Sequence, residues 1–162
     1  MRNEQPLIFA LHGLIRSVLM ERPVDEAYLF ICKAIFPGAV LGQLAPPSGS
    51  IDHRYLKRVC DFIYELDKKE WSYTSCYSAS ITAHIIAFSC DIPSEIAIGV
   101  KRQDKKITGH AWLEVEGADE THIINPGHAN VGDFQVIKRL KPEATIESWM
   151  KNRATLDAAL ES

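Results

Sequence analysis

The chain has 162 residues, of which 46% are hydrophobic and 24% are charged, with a formal net charge of −3. This size and composition predict one soluble globular domain with a hydrophobic core of its own. The slightly acidic balance excludes a protein that binds nucleic acid or an anionic membrane through general charge attraction.

The number and spacing of the cysteines bear on whether the protein is disulfide-rich or binds zinc. The four cysteines, Cys32, Cys60, Cys76 and Cys90, show no CxxC spacing and follow no export signal. A disulfide scaffold is therefore not expected, and no ligand spacing supports a zinc site. We expect no metal or other cofactor, and by default each cysteine is a small buried apolar side chain.

The first half of the chain predicts helices. An apolar run at residues 6–20 is too short for a membrane span, and no signal-peptide cleavage site follows it. We therefore expect a buried first helix, roughly 7–20, and a cytoplasmic location. Two further helices are predicted. One spans roughly 24–36 and is ended by Pro37 and Gly38, and the other spans roughly 51–66 after a loop at 42–50. Residues 1–70 are therefore expected to form a helical N-terminal region.

Residues 71–140 change to the pattern of one more helix followed by strands. Thr74 or Ser75 can cap a helix that begins at Cys76 and runs to about Ser89. Alternating apolar and polar side chains then predict an antiparallel meander, with strands at 96–100, around His110, at 121–125 and at 133–140.

A last helix, roughly 143–160, closes the chain within a C-terminal region of residues 141–162. Helices, then strands, then a helix indicate an α+β fold in a single domain over 1–162. Its parts are N-terminal helices, a helix packed on a small antiparallel β-sheet, and a closing C-terminal helix.

Cys76 is the cysteine whose predicted position favours a role as a nucleophile. The backbone N–H groups and the dipole at a helix start stabilise a thiolate and lower its pKa, and the thiolate is the nucleophilic form. Cys32 and Cys60 fall within helices, and Cys90 falls at a helix end, where the dipole disfavours an anion.

His110 is the candidate base for that thiol. In residues 107–116, small or apolar residues alternate with polar or amphipathic ones, so His110 points away from the predicted core face. The face bearing His110 is free to cover the start of the Cys76 helix, where a histidine and a thiol can meet in space. The alternative is a half-exposed histidine on a solvent face, beside Glu114 and Glu116.

Three segments together resemble a family of cysteine enzymes. They are W…SC at 71–76, IPSEIAIGV at 92–100 and GHAWLEVEG at 109–117. Their order and spacing resemble those of the transglutaminase-like, papain-like cysteine proteases. More narrowly, they resemble the lasso-peptide leader peptidases, often called B2 proteins, over a stretch from Trp71 to Asn125.

This resemblance implies a transglutaminase-like core and a protease that removes the leader from a ribosomally made precursor peptide. It implies Cys76 as the nucleophile and His110 as the general base. Such enzymes work with a small leader-binding partner protein and an ATP-dependent macrocyclase, and this chain resembles the stand-alone catalytic form. Where that family has an aspartate as its third member, this sequence has Asn125.

Strand register places Asn125 near His110. If Glu116 pairs with Thr121 in a hairpin, Asn125 lies opposite Trp112, one diagonal step of about 7–8 Å from His110. The carbonyl oxygen of Asn125 can then accept the imidazole Nδ1–H and hold the ring in one tautomer.

Two acidic residues compete with Asn125 for this role, but Asp119 and Glu120 belong to the turn, roughly 20 Å along the strand from His110. The alternative for Asn125 is that it only begins the Asn-Pro-Gly turn.

Two other functions are compatible with these residues. A thioester at Cys76 can be resolved by an amine instead of water, which would make the chain a transamidase or acyltransferase. The second is a catalytically inactive peptide-binding protein, against which an intact Cys76 and His110 argue.

Overall fold

A computed structural model describes residues 4–40, 52–71, 73–90, 92–103, 106–117, 119–127 and 129–141. Within them lie four helices and then four strands: α1 (Gln5–Glu21), α2 (Val24–Val40), α3 (His53–Lys68), α4 (Cys76–Phe88), β1 (Ser94–Gln103), β2 (Lys106–Glu116), β3 (Thr121–Ile124) and β4 (Gln135–Leu140). The predicted α+β fold is confirmed. The predicted C-terminal helix and the loop at 42–50 lie outside the described residues.

The centre of the molecule is α4. Its sequence is small or apolar on all sides, which is typical of a helix that is buried all round. It packs against α1 and α3 on one side and against β1 and β2 on the other. The main core lies between α4 and the sheet and includes Ile81, Ile85, Ile96 and Leu113.

Buried polar side chains fix how α4 docks, because an unpaired polar group inside a protein is costly. Ser80 donates a hydrogen bond of 3.3 Å to the carbonyl oxygen of Ala111 in β2. The His84 ring lies 3.0 Å from the hydroxyl of Tyr28 in α2 and 3.0 Å from that of Ser94 in β1. These bonds hold α4 at one rotation and one height relative to the sheet.

The second helix continues past its predicted end. Pro37 and Gly38 were expected to stop it, but α2 runs to Val40. The φ angle of proline is compatible with a helix, so Pro37 is tolerated here although it removes one N–H···O bond and crowds the carbonyl four residues before it. None of the described helices is long and apolar enough to cross a membrane.

The sheet has the strand order β3-β2-β1-β4, and its strands are antiparallel. The predicted meander is confirmed for β1, β2 and β3 but is wrong for β4, which returns to pair with β1. After β2 has formed, one edge of β1 is still unpaired, and β4 satisfies its backbone groups there. The sheet therefore places β2, which carries His110, in its middle.

Candidate active site

Cys76 is the first residue of α4, as predicted. Ser75 caps the helix through a reciprocal pair of hydrogen bonds with Ser78, in which each side chain accepts from the backbone N–H of the other residue. The first backbone N–H groups of a helix have no partner within it. Here the N–H groups of Cys76 and Tyr77 favour the thiolate form of Cys76 and lower its pKa.

The sulfur of Cys76 meets the sheet at Ala111, the residue that follows His110. The backbone N–H of Ala111 stabilises the thiolate form of Cys76, and the carbonyl oxygen of Ala111 accepts a hydrogen bond from Ser80, one turn further along α4. These groups are available because β3 pairs with β2 only from Leu113 onwards. The thiol therefore lies at the open edge of β2, one residue from the histidine.

Burial raises the pKa of the Cys76 thiol above its ordinary value, while the N–H groups of Ala111, Tyr77 and Cys76 itself act in the opposite direction. The helix start alone predicted a lowered pKa, and that prediction is wrong. The half-buried sulfur loses more stabilisation of its anion by water than the three N–H groups return.

The structure brings His110 and Asn125 into direct contact. The Nε2 atom of the ring lies 2.7 Å from the Oδ1 atom of the amide. The predicted register, in which Glu116 pairs with Thr121, is confirmed, and Asn125 is the first residue after β3. It also begins the turn in which Gly127 has a φ of 81°, so the two alternatives for Asn125 coexist.

Ala129 sets the orientation of the Asn125 amide, because its carbonyl oxygen accepts a hydrogen bond from Nδ2. The other end of the amide is therefore the oxygen that faces His110, and an amide oxygen only accepts. It follows that Nε2 carries the proton in this pair and that Nδ1 is the nitrogen with a lone pair in the neutral ring. The expectation that Asn125 would bind Nδ1 is wrong.

His110 is buried on the opposite face of the sheet from α4. Its side chain packs against Phe134 and Trp112, with ring centroids 5.3 and 6.1 Å away. Only 7% of its surface is exposed, so the solvent-face alternative is wrong. The face that covers α4 is that of Ala111 and Leu113, which corrects the expectation that the His110 face would do so.

Sequence reasoning missed Tyr64, on α3. Burial raises its pKa to about 12, and the nearby Cys76 sulfur, as a thiolate, adds to the shift. A Cβ atom on Gly127 would lie 3.4 Å from the Tyr64 hydroxyl. Tyr64 thus stands between the thiol and the turn that follows Asn125, although no local motif marks it in the sequence.

Cys32 and Cys60 lie in different surroundings from Cys76. Burial raises the pKa values of Cys32 and Cys60 to about 12, and both side chains are almost fully covered. Across the described part of the chain, no group of three or more His, Cys, Asp or Glu side chains is placed to hold a metal ion.

A family model for the transglutaminase-like superfamily matches residues 31–139. The match reaches beyond the motifs at 71–125 to include part of α2, all of α3 and most of β4. No curated protein and no solved structure matches the chain. Members of this superfamily are generally cysteine-dependent enzymes. The chain belongs to the transglutaminase-like superfamily.

Proposed function

We propose that the chain is a cysteine peptidase that removes the leader segment from a ribosomally synthesised precursor peptide. The observation that carries this proposal is the position of Cys76, at the start of α4, beside the backbone of Ala111, the residue that follows His110, whose ring is hydrogen-bonded to Asn125. The order and spacing of the three motifs between Trp71 and Gly117 support the narrower role in lasso peptide biosynthesis.

In the proposed acylation step, Nδ1 of His110 accepts the thiol proton as the Cys76 sulfur attacks the scissile carbonyl carbon. The C–S bond forms and the carbonyl π electrons move to the oxygen, which faces the N–H groups at the start of α4. His110 then donates its proton to the leaving amine as the C–N bond breaks, and a thioester remains. Water adds to the thioester in the same way, with His110 taking its proton, and the thiol is restored as the acid leaves.

Two features disfavour an ion pair between Cys76 and His110 before the substrate binds. Asn125 has no negative charge with which to stabilise an imidazolium, and burial disfavours the Cys76 thiolate. We therefore assign His110 as a general base that acts during the attack, and not as half of an ion pair formed beforehand.

The proposed partners follow from the same resemblance. A small leader-binding protein would hold the precursor beside Cys76, and an ATP-dependent macrocyclase would act on the released core peptide. Tethering the leader raises the local concentration of the scissile bond, so the partner is expected to speed cleavage.

The test is to incubate the protein with its cognate precursor peptide, with and without the leader-binding partner, and to follow the masses of the products. Cleavage with the gain of one water, faster with the partner and absent in Cys76→Ala, is the expected result. Replacement of water by an added amine would instead assign a transamidase or acyltransferase. Binding of the precursor without any product would contradict the peptidase proposal.

A further inference from the structure

His12, on α1, is a buried polar residue that faces α4. None of its surface is exposed. Its Nε2 atom lies 3.1 Å from the hydroxyl oxygen of Ser78, 66 residues further along the chain. A histidine buried in an apolar interior is costly, so a specific contact of this kind calls for an account of what it does.

Ser78 is the residue on which the start of α4 depends. Its hydroxyl accepts a hydrogen bond of 3.0 Å from the N–H of Ser75 and lies 3.0 Å from the carbonyl oxygen of Ser75, to which it can donate. The Ser75 hydroxyl in turn accepts from the N–H of Ser78 at 3.2 Å. Because Ser75 immediately precedes Cys76, the imidazole of His12 touches the cap that orients the nucleophile.

The segment before Cys76 is also held from α3. The N–H of Thr74 donates a hydrogen bond of 2.9 Å to a carboxylate oxygen of Asp67. The hydroxyl of Thr74 donates to the carbonyl oxygen of Ile63 at 3.4 Å. The start of α4 is therefore held from two helices, by α3 at Thr74 and by α1 at Ser78.

We propose that His12 is a positioning residue for Cys76, acting through Ser78 to hold the first turn of α4 against β2. Its relevance to catalysis rests on the proposed function, whereas its effect on the thiol does not. Without His12, Ser78 has a gap beside it and its hydroxyl can rotate away from Ser75. The N–H groups of Cys76 and Tyr77 would then be less well directed at the sulfur, and the thiolate would be less stable.

The protonation state of the His12 ring does not change at and above pH 6. Burial, with a contribution from the positive charge of Arg16, lowers the pKa of His12 to about 4, and Asp67 acts in the opposite direction. The ring is therefore neutral at and above pH 6, and its contact with Ser78 does not titrate there.

The experiment measures the rate at which iodoacetamide alkylates Cys76 as a function of pH, by mapping labelled peptides of the full-length protein. In His12→Ala we expect the rate at pH 7 to fall about fivefold and the profile to move to higher pH, as loss of a helix cap implies. His12→Gln, whose amide reaches the position of Nε2, should stay within about twofold of the unchanged protein.

His84→Gln is the matched control, because His84 is a second fully buried histidine, with a pKa lowered to about 4, that lies on α4 itself. It should lower stability without moving the alkylation profile of Cys76. If His12→Ala does not fold, Ser78→Ala carries the test and should move the profile in the same direction.

An unchanged profile in folded His12→Ala or in Ser78→Ala would overturn the proposal, and so would a loss in His12→Gln as large as that in His12→Ala. Alkylation needs no precursor peptide, so failure of the proposed peptidase activity leaves this result intact. Conversely, normal cleavage and an unchanged alkylation profile in His12→Ala would contradict only the positioning role of His12 and would leave the proposed peptidase function intact.

Discussion

At the residue scale, the side chain bound to His110 is the amide of Asn125, whereas the family resemblance in the sequence implies a carboxylate at this place. Asn125 can orient the His110 ring through its 2.7 Å hydrogen bond, but it cannot balance a positive charge on that ring. Asn125 therefore supplies the hydrogen bond that an aspartate would make, without the negative charge. Its role can only be to orient the ring, and not to stabilise a positive charge on it.

Substitutions of Asn125 test the orienting role. We expect Asn125→Ala to lower kcat/KM for precursor cleavage by more than about tenfold, because the ring is then free to rotate. Asn125→Asp should retain activity, since a carboxylate oxygen can accept from Nε2. Asp119→Ala, in the exposed turn between β2 and β3, is the control and should change little. Full activity in Asn125→Ala would leave a Cys76–His110 dyad without a third member.

The thiols give a second residue-scale prediction. At pH 8, substoichiometric iodoacetamide should label Cys76 before Cys32 and Cys60, whose pKa values are raised to about 12 by burial. Because burial raises the pKa of Cys76, its thiolate forms at a higher pH than that of an ordinary thiol, and its rate of alkylation should increase with pH. Peptide mapping gives the order of labelling. Faster labelling of Cys32 or Cys60 would remove Cys76 as the activated thiol.

At the element scale, the middle of the sheet depends on close packing across two strands. Gly99 of β1 pairs with His110 of β2, and a Cβ atom there would lie 2.8 Å from the Trp112 ring and 2.9 Å from Cβ of Phe134. Both rings pack against the His110 imidazole. The absence of a side chain at Gly99 is therefore what lets these rings cover the histidine.

Gly99→Ala should consequently disturb the sheet face that carries His110. We expect a loss of about 1–3 kcal/mol in the free energy of unfolding, as is usual for overpacking, together with lower activity. Gly109→Ala is the matched control, because a Cβ atom there has its nearest neighbour 4.0 Å away. Chemical denaturation of the two variants provides the comparison, and equal stabilities would show that the rings can move aside.

At the scale of the whole molecule, two buried histidines join α4 to other elements. His12 connects α1 to the start of α4, and His84 connects α4 to both α2 and β1. Burial lowers the pKa of each to about 4, from 6.5. Both must therefore be neutral for the helices and the sheet to pack as they do.

The pH dependence of stability follows from these shifts. Between pH 6.5 and 4 the unfolded chain binds protons on these rings that the folded chain does not, so stability falls as pH falls through that window. Between pH 7 and 5 each histidine should lower the free energy of unfolding by about 2 kcal/mol. Urea denaturation at the two pH values measures this, and His84→Gln should show a shallower dependence. Equal stabilities at pH 7 and 5 would contradict the prediction.

The sequence by itself determined most of the elements and the register of the hairpin that holds the site. Periodicity and caps are local properties, so Thr74 and Ser75 predicted the start of α4 and the alternation around His110 predicted β2. Pairing Glu116 with Thr121 then placed Asn125 beside His110, because side chains in a strand repeat every two residues.

Only the tertiary structure decided which surfaces meet. The return of β4 to β1, the packing of α4 on the Ala111 face and the choice of Nε2 over Nδ1 all depend on contacts between distant segments. The raised pKa of Cys76 has the same origin, since dehydration of a sulfur is set by everything packed around it and not by its place in a helix. The cap contact from His12, 66 residues away in sequence, likewise has no local signature.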